Sequence, residues 1–543
     1  MKAWVRSVLL WGCGLAALGV VVSQWQRQSV QVQALPLLPQ HPRIQVYMNQ
    51  NPAASYQDPY RQQRRPGDDL EQVIVDQIRS AKSSIDVAVQ ELRSPKIAQA
   101  LRERNQSGIP VRLILENTYS RPWSSFTAAE VAQFDERERD RYQDGIELID
   151  QDGNQQISQS ESNQFDALQI IQNAGIPWLD DTSDGSAGSG LMHHKFVVID
   201  QQTVVVTTAN FTLSGLHGDL KNPDSRGNAN SLLVIESPEL AVTFRNEFEI
   251  LWGDGPGGKP DSLFGVRKPF RPVQNFTLDD ATVRVKFSPT SSSLPWQSSS
   301  NGLIGATLGQ AQDAVDLALF VFSEQNIANQ LAIEHQQGVT IRALVDPSFA
   351  YQSYSEVLDM LGVFRSRLPN SCAIEKNNQP WQNPIQTVGV PQMPEGDRLH
   401  HKYGVIDQRT VIVGSHNWSD AANDINDETL LVIENPTIAA HYHREFERLY
   451  ANSRLGIPRY LQPEFDRCVG AEETQASPEN TGPINLNTAT QTELESLPGV
   501  GPKLAARIIE ARQDKPFTSL EEIDRVPGIG PKLLSQIKKQ ISW

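Results

Sequence analysis

Cysteine is scarce in this chain, with three residues among 543. Cys13 falls in an N-terminal leader, so Cys372 and Cys468 could form at most one disulfide bond, and two free thiols are an equal alternative. This count excludes the small, disulfide-rich class of secreted proteins. Ordinary hydrophobic cores must stabilise the fold instead, and the length predicts roughly three to four domains of about 150 residues each.

Positive charge is also in short supply. Lysine and arginine together number 48, against 64 aspartate and glutamate residues, which gives a formal net charge of -16. A basic coat over the whole molecule is therefore excluded, and any polyanion must bind at a local patch. The hydrophobic fraction of 39% and the charged fraction of 21% are typical of folded domains.

The longest apolar run of the sequence lies at the N-terminus. Lys2 and Arg6 precede the 15 residues of Val8–Val22. That length fits the core of a signal peptide and is short for a membrane span. We expect residues 1–25 to be a cleaved signal peptide or an uncleaved signal anchor that contacts the membrane. In both cases we expect an exported protein, in the periplasm, at the cell surface or secreted.

An internal repeat organises the middle of the chain. Ala81–Glu116 and Ala311–Asp346 align without gaps, 230 residues apart. Each contains an apolar run, a helical stretch, a glycine and a second apolar run, an order that predicts strand, helix and strand with the two strands parallel. The expected strands are Ile85–Val89, Val111–Leu115, Val315–Val321 and Ile341–Val345.

Two further segments repeat downstream. Met192–Thr212 matches Leu399–Ser419 at a separation of 207 residues, and Asn228–Pro238 matches Asn426–Pro436 at 198. Two homologous α/β halves are therefore present. The expected boundaries are a first repeat at 40–255, a connector at 256–280, a second repeat at 281–455 and a linker at 469–483.

The first half carries 23 extra residues before its second matched segment. We expect them in an inserted helical hairpin near 136–172, whose helices are Glu136–Ile149 and Glu161–Gln172. Its centre, Asp150–Glu161, resembles the twelve-residue calcium loop of an EF-hand. Gln155 stands where that loop normally has glycine. A hydrated acidic surface loop is the alternative to a structural Ca²⁺ site. The residues expected to ligate the ion are Asp150, Asp152, Asn154, Gln156 and Glu161.

The spacing His-x-Lys-x4-Asp occurs twice, and an asparagine follows each histidine by 17 residues. Positions i and i+2 of a strand share one face, so each histidine is expected to lie beside its lysine. Lysine and amide donors can hold the nonbridging oxygens of a phosphodiester, while one imidazole attacks phosphorus and the other transfers protons. The residues are His193, Lys195, Asp200 and Asn210 in the first half and His400, Lys402, Asp407 and Asn417 in the second.

These residues resemble the repeated HKD signature of the phospholipase D superfamily. The resemblance implies two pseudo-twofold-related repeats of mixed sheets flanked by helices, which form one active site without a catalytic metal or other cofactor. It also implies that His193 is the nucleophile and His400 the general acid, although the sequence itself leaves that assignment open. Asp200 and Asp407 are then structural residues of the motif.

The two halves depart from each other in the surroundings of the motif. Ser415 matches the family pattern before the second asparagine, whereas the first half has threonine there. The family also places a carboxylate downstream to orient an imidazole. Glu428 fits that place in the second half, but the aligned residue in the first half is Asn230. Asp219 or Asp224 could substitute for the missing acid.

The C-terminal residues 484–543 contain two similar turns, Leu497–Lys503 and Val526–Lys532, between helical stretches. Gly-x-Gly lets the backbone present N–H groups at the start of a helix, where phosphate binds well. This stretch resembles a tandem helix-hairpin-helix domain, close to that of competence DNA-uptake proteins, which implies a small all-α domain that binds DNA without reading its sequence. The residues expected at the DNA are Gly499, Gly501, Lys503, Gly528, Gly530 and Lys532.

The sequence therefore predicts an exported phosphodiesterase that carries a DNA-binding module, and a DNA nuclease is the favoured activity. The first alternative is a phospholipase D that acts on membrane phospholipids, because the same motifs serve both substrates. The second alternative is a DNA-binding surface protein with a silent catalytic body.

Overall fold

The computed structural model describes residues 35–185, 190–365, 378–463 and 465, and part of the C-terminal stretch. The described residues of that stretch are 484–489, 494, 497, 500, 502–526, 529, 534, 537–538 and 540–543. The predicted leader at 1–25, the linker at 469–483 and all three cysteines lie outside the described residues. No described helix is both long and apolar enough to span a membrane.

Contacts divide the chain into two compact units. The first comprises Met1–Ser300, Met393–His416 and Ala421–Ala451, and the second comprises Asn301–Gln392, Asn417–Asp420 and Asn452–Trp543. The histidines and lysines of both predicted catalytic motifs therefore belong to the first unit.

A mixed seven-stranded sheet forms the centre of the first unit. The predicted strands Ile85–Val89 and Val111–Leu115 are present with these bounds and are parallel. Val111–Leu115 and Trp178–Asp180 are parallel as well, whereas the other neighbouring strands are antiparallel. The order across the sheet is Ile44–Met48, Ser231–Glu236, Thr203–Thr207, Lys195–Ile199, Ile85–Val89, Val111–Leu115 and Trp178–Asp180.

The helix between the two predicted strands begins and ends at recognisable signals. The Ser94 hydroxyl accepts the N–H of Ile97, Pro95 occupies the first turn, and Gly108 adopts a φ of 84° just beyond the helix Pro95–Gln106. Its buried residues join the strands in one hydrophobic core, which contains Ile97, Leu101, Val87, Leu113 and Val197.

The first unit has a second set of antiparallel strands, and the second catalytic motif lies on them. Their order is Gln274–Leu278, Ala281–Phe287, Thr429–Glu434, Thr410–Gly414 and Lys402–Ile406. The other short strands of this unit are Ser55–Gln57 and Arg64–Pro66. Its helices include Leu70–Ser80, Ala128–Val131, Glu136–Ile149, Gln159–Phe165, Ala167–Asn173, Leu213–Leu216, Pro238–Trp252 and Pro436–Ala451.

The second unit contains the strand–helix–strand segment of the second repeat. The strands Ala314–Leu319 and Thr340–Val345 are parallel, as predicted. The first begins one residue and ends two residues earlier than expected, and the second begins one residue earlier and ends at the expected residue. Val388–Pro391 continues the parallel order and Ser453–Leu455 is antiparallel to it. The helices Gln325–Gln336 and Glu356–Met360 belong to the same unit, as does the parallel pair Phe322–Ser323 and Trp418–Ser419.

The C-terminal module has a core of its own, built around Leu486, Leu497, Ile508, Phe517 and Ile523. Its described elements are the helix Pro502–Asp514, the 3-10 helix Glu521–Arg525 and a parallel pair of two-residue strands, Ile484–Asn485 and Ile541–Ser542. The module is helical as predicted, apart from this short strand pair. Of the six residues expected at DNA, Lys503 is the second residue of the helix Pro502–Asp514, and the other five lie outside the described residues.

Candidate active site

Each of the two HKD lysines is the first residue of a strand, and the two strands belong to different sheets. Lys195 and Lys402 are the first residues of fully buried strands, and each histidine lies just before its strand. Each lysine ammonium donates a hydrogen bond of 2.8 Å to the carbonyl oxygen of the histidine two residues earlier. This contact folds the lysine back toward its own histidine and places both polar groups at the same strand end.

His193 pairs with a carboxylate from the other half of the chain. Its Nδ1 lies 2.7 Å from Oε2 of Glu428, which is fully buried. The Ser415 hydroxyl donates to the same oxygen at 2.6 Å and in turn accepts the N–H of Thr429 at 2.9 Å. Burial raises the pKa of Glu428, against the lowering effect of nearby His416 and Lys195.

His400 has a different partner, because its Nδ1 lies 2.9 Å from Oδ1 of Asn230. The acid anticipated from the sequence is not at this position. Asp219 accepts the backbone N–H of Lys221, and Asp224 is exposed. Each histidine is thus oriented by a residue from the opposite half, a carboxylate for His193 and an amide for His400.

The site is rich in cationic groups and short of anions. Burial, together with the ammonium groups of Lys195 and Lys402, lowers the pKa of His193 well below its ordinary value. Burial, Lys402 and Lys195 act on His400 in the same direction. Burial also lowers the pKa of Lys195 to about 7. An anionic ligand would relieve this repulsion, which suits the site to a phosphate group.

Gln90 is a site residue that the sequence analysis did not identify. Its Oε1 accepts hydrogen bonds from the ammonium of Lys195 at 3.3 Å and from Nδ2 of Asn210 at 3.1 Å. It is buried, and it follows the strand Ile85–Val89. A polar residue directly after a buried apolar strand is the signal that could have identified it.

Each of the two motif asparagines has a side-chain amide oxygen that accepts no hydrogen bond from the described residues. Oδ1 of Asn210 and Oδ1 of Asn417 are each buried without a hydrogen-bond partner among the described residues. Asn417 belongs to the second unit, where its carbonyl oxygen accepts the N–H of Ser419 at 2.9 Å.

The remaining residues of the two motifs make contacts of their own. The Asp200 carboxylate accepts the backbone N–H groups of residues 82–84, and Asp200 and Asp407 adopt left-handed φ angles of 55° and 51°. His194 contacts Thr429 Oγ1 at 2.8 Å, and His401 lies 3.1 Å from Glu445. The Asp200 carboxylate thereby holds the residues that precede the strand Ile85–Val89.

The EF-hand-like loop brings Asp150, Asp152 and Glu161 together, with ligand atoms within 4.8 Å of one another. Gln155, at the usual glycine position, adopts a left-handed φ of 62° and so makes the sharp turn. Glu161 also caps its helix through Ser158, and Gln156 donates its N–H to Asn154. The flanking helix Glu136–Ile149 is as predicted, whereas the following helix is interrupted at Asp166. The calcium site stays a prediction.

Known protein families match both the two-repeat body and the C-terminal module of the chain. Residues 74–252 and 304–450 match the family described as cardiolipin synthase, PLD-like domain, and residues 479–542 match the helix-hairpin-helix motif. A mitochondrial cardiolipin hydrolase of Xenopus laevis is 27% identical over 189 residues, which cover 34% of this chain and 78% of the relative.

Among solved structures, a phosphatidylserine synthase of Haemophilus influenzae Rd KW20 matches with a TM-score of 0.47 at 13% identity. The match covers 77% of this chain and 88% of the synthase chain. Nuc of Salmonella typhimurium, a phospholipase D family member, matches with a TM-score of 0.25 at 19% identity. That match covers 33% of this chain and 100% of the Nuc chain.

Proposed function

Because the chain belongs to the phospholipase D-like family, we propose that it is an exported nuclease that hydrolyses phosphodiester bonds of DNA through a phosphohistidine intermediate. The observation that carries the chemistry is the pair of oriented imidazoles, each with its Nδ1 occupied by a partner from the opposite half. We assign the reaction with substrate to the Nε2 atom of each ring, because each Nδ1 atom is held by its partner.

The reaction proceeds in two balanced steps. In the first, the Nε2 lone pair of His193 forms a bond to phosphorus, the bond from phosphorus to the leaving oxygen breaks, and that oxygen takes the proton from Nε2 of His400. In the second, water gives a proton to His400 while its oxygen attacks phosphorus, and the bond to His193 breaks. The ammonium groups of Lys195 and Lys402 stabilise the charge on the nonbridging oxygens.

DNA is the favoured substrate because of the helix-hairpin-helix match at residues 479–542. A module that binds DNA backbone would raise the local concentration of substrate near the active site. The predicted leader supports export, since both of its alternatives place the body outside the cytoplasm.

A phospholipid substrate is the second candidate. The cardiolipin hydrolase relatives favour it, and an uncleaved N-terminal anchor would hold the enzyme at a membrane. The catalytic groups described above would act on either diester without change. A catalytically silent DNA-binding surface protein is the third candidate, and the doubly substituted His193→Ala, His400→Ala protein separates it, because cellular function would then survive the loss of both histidines.

Purified residues 40–543 test the proposal. The protein is incubated with plasmid, with single-stranded DNA and, in parallel, with phosphatidylcholine and cardiolipin vesicles. His400→Ala is the inactive variant, and His335→Ala is the matched control, because His335 stacks on Trp381 in the second unit. DNA cleavage that vanishes only in His400→Ala supports the nuclease. Headgroup release with intact DNA overturns it in favour of the lipase.

A further inference from the structure

Asn230 stands where the second half has Glu428, and its surroundings require an amide. Its Nδ2 donates to the carbonyl oxygens of Gly215, at 2.9 Å, and Asn228, at 3.1 Å. Carbonyl oxygens only accept, so both N–H groups are used and the orientation of the amide is determined. A carboxylate oxygen in place of Nδ2 would face two carbonyl oxygens without a proton between them.

The orientation of Asn230 fixes the protonation pattern of His400. Oδ1 accepts the hydroxyl of Thr208 at 2.8 Å and lies 2.9 Å from Nδ1 of His400. An amide oxygen cannot donate, so Nδ1 of His400 must carry the hydrogen. The proton exchanged during turnover therefore resides on Nε2.

Three of the contacts around each histidine have a counterpart around the other. Ser231 donates its N–H to Thr208 as Thr429 does to Ser415, and each hydroxyl then donates to the histidine's partner. The backbone N–H of His400 donates to Ala229 as that of His193 donates to Asp427. The two arrangements differ in the group that faces each ring, because His193 faces a carboxylate and His400 faces an uncharged amide.

We propose that Asn230 is the positioning residue of His400, and that its uncharged amide makes the two histidines of the site chemically unequal. This inference rests on the proposed phosphodiesterase mechanism. A carboxylate beside His193 stabilises the positive charge of its phosphorylated ring. An amide beside His400 holds the ring without neutralising it, so the imidazolium remains a strong acid toward the leaving oxygen.

Activity should therefore depend on pH, and deprotonation of His400 should determine its fall at high pH. The titratable groups that act on this ring are Lys402, Lys195, His193 and His401. Turnover needs Nε2 protonated on His400 and unprotonated on His193. At high pH the rate is then limited by the fraction of protonated His400, and at low pH by the fraction of neutral His193.

The experiment measures kcat/KM against pH for bis(p-nitrophenyl) phosphate and for DNA, with the wild-type chain and three variants. Asn230→Leu removes the acceptor of the His400 Nδ1 hydrogen. The loss of a hydrogen bond to the charged ring lowers the pKa of His400, so the alkaline limb of the pH profile is expected to move to lower pH by about one unit. Asn230→Asp restores an acceptor oxygen and is expected to recover activity to within about tenfold of the wild type, at a lower melting temperature.

Glu428→Gln is the reciprocal control, since it gives His193 an amide partner. Its acidic limb is expected to move to lower pH, with the alkaline limb unchanged. An equal loss of activity at every pH in Asn230→Leu, or no recovery in Asn230→Asp, would overturn the inference. A wild-type chain that cleaves neither substrate would instead overturn the proposed function.

Nitrogen NMR of imidazole-labelled protein tests the inference without turnover, and His400 is assigned by comparison with His400→Gln. The expected result is hydrogen on Nδ1 in neutral His400 of the wild type and a mixture of tautomers in Asn230→Leu. Hydrogen on Nε2 in the neutral wild-type ring contradicts the proposal, whatever the activity.

Discussion

Glu428 lies 2.7 Å from His193 although 235 residues separate the two in the chain. The contact joins the first catalytic motif to a residue of the second repeat, and the contact between His400 and Asn230 runs in the opposite direction. Neither half therefore contains a complete catalytic histidine with its partner. The site exists only when segments of both repeats fold together in the first unit.

The different roles of the two histidines predict different responses to the leaving group. His193→Ala should lower kcat at least about a thousandfold on every phosphodiester, since the nucleophile is lost. His400→Ala should lose much less on bis(p-nitrophenyl) phosphate than on DNA, because p-nitrophenolate departs without a proton. Steady-state kinetics on both substrates check this. Equal losses for the two variants on both substrates would contradict the assignment.

Gln90 should matter although it does not contact phosphorus in the mechanism. Gln90→Leu removes an acceptor shared by Lys195 and Asn210, and we expect kcat/KM to fall by about 10- to 100-fold, the range for a lost hydrogen bond to a charged group. The aligned residue of the second repeat is Phe320, so Gln90→Phe tests the same position with the side chain the other half uses. Unchanged kinetics in both variants would show that Gln90 does not position the lysine.

Much of the sheet and of the motif was predictable from the sequence, because it depends on local patterns. Apolar runs of five residues gave Ile85–Val89 and Val111–Leu115 their bounds, and the repeat spacing identified both histidines and both lysines. The partners of the histidines were not predictable. The sequence places Glu428 in the same half as His400, and only the tertiary pairing of distant segments shows that it serves His193.

Stability should depend on pH through the buried histidines. The folded-state pKa values of His193 and His400 are depressed, so the unfolded chain binds protons that the folded chain does not. Their contribution to the free energy of unfolding is fully present above the unfolded-state pKa of about 6.5. It is lost as pH falls below that pKa, by about 1.4 kcal/mol per pH unit for each histidine.

Urea unfolding at pH 7.5, 6.5 and 5.5 measures this dependence. Between pH 6.5 and 5.5, the free energy of unfolding should depend less steeply on pH in His400→Gln than in the wild type. The difference should correspond to about one proton. Inorganic phosphate should restore part of the lost stability at pH 5.5, because it binds the folded site. Identical slopes for the two proteins would mean that His400 titrates normally in the folded state.

The C-terminal module should govern DNA affinity and leave small substrates unaffected. Lys503→Glu with Lys532→Glu is expected to raise KM for DNA and to reduce the salt dependence of binding by about one unit per lysine. Hydrolysis of bis(p-nitrophenyl) phosphate should stay at the wild-type rate. A matched pair, Lys515→Glu with Lys538→Glu, changes the same charge at other positions of the module and should have a smaller effect. Equal effects of the two pairs would assign binding to net charge alone.

Trapping of the covalent intermediate is the sharpest test of the phosphohistidine mechanism. The wild-type chain is mixed with DNA or bis(p-nitrophenyl) phosphate, quenched in base to preserve phosphohistidine, and digested for mass spectrometry. We expect a phosphoryl adduct on the peptide that contains His193, and no such adduct in His193→Ala. An adduct on the His400 peptide, or steady turnover with no adduct on either histidine, would contradict this expectation.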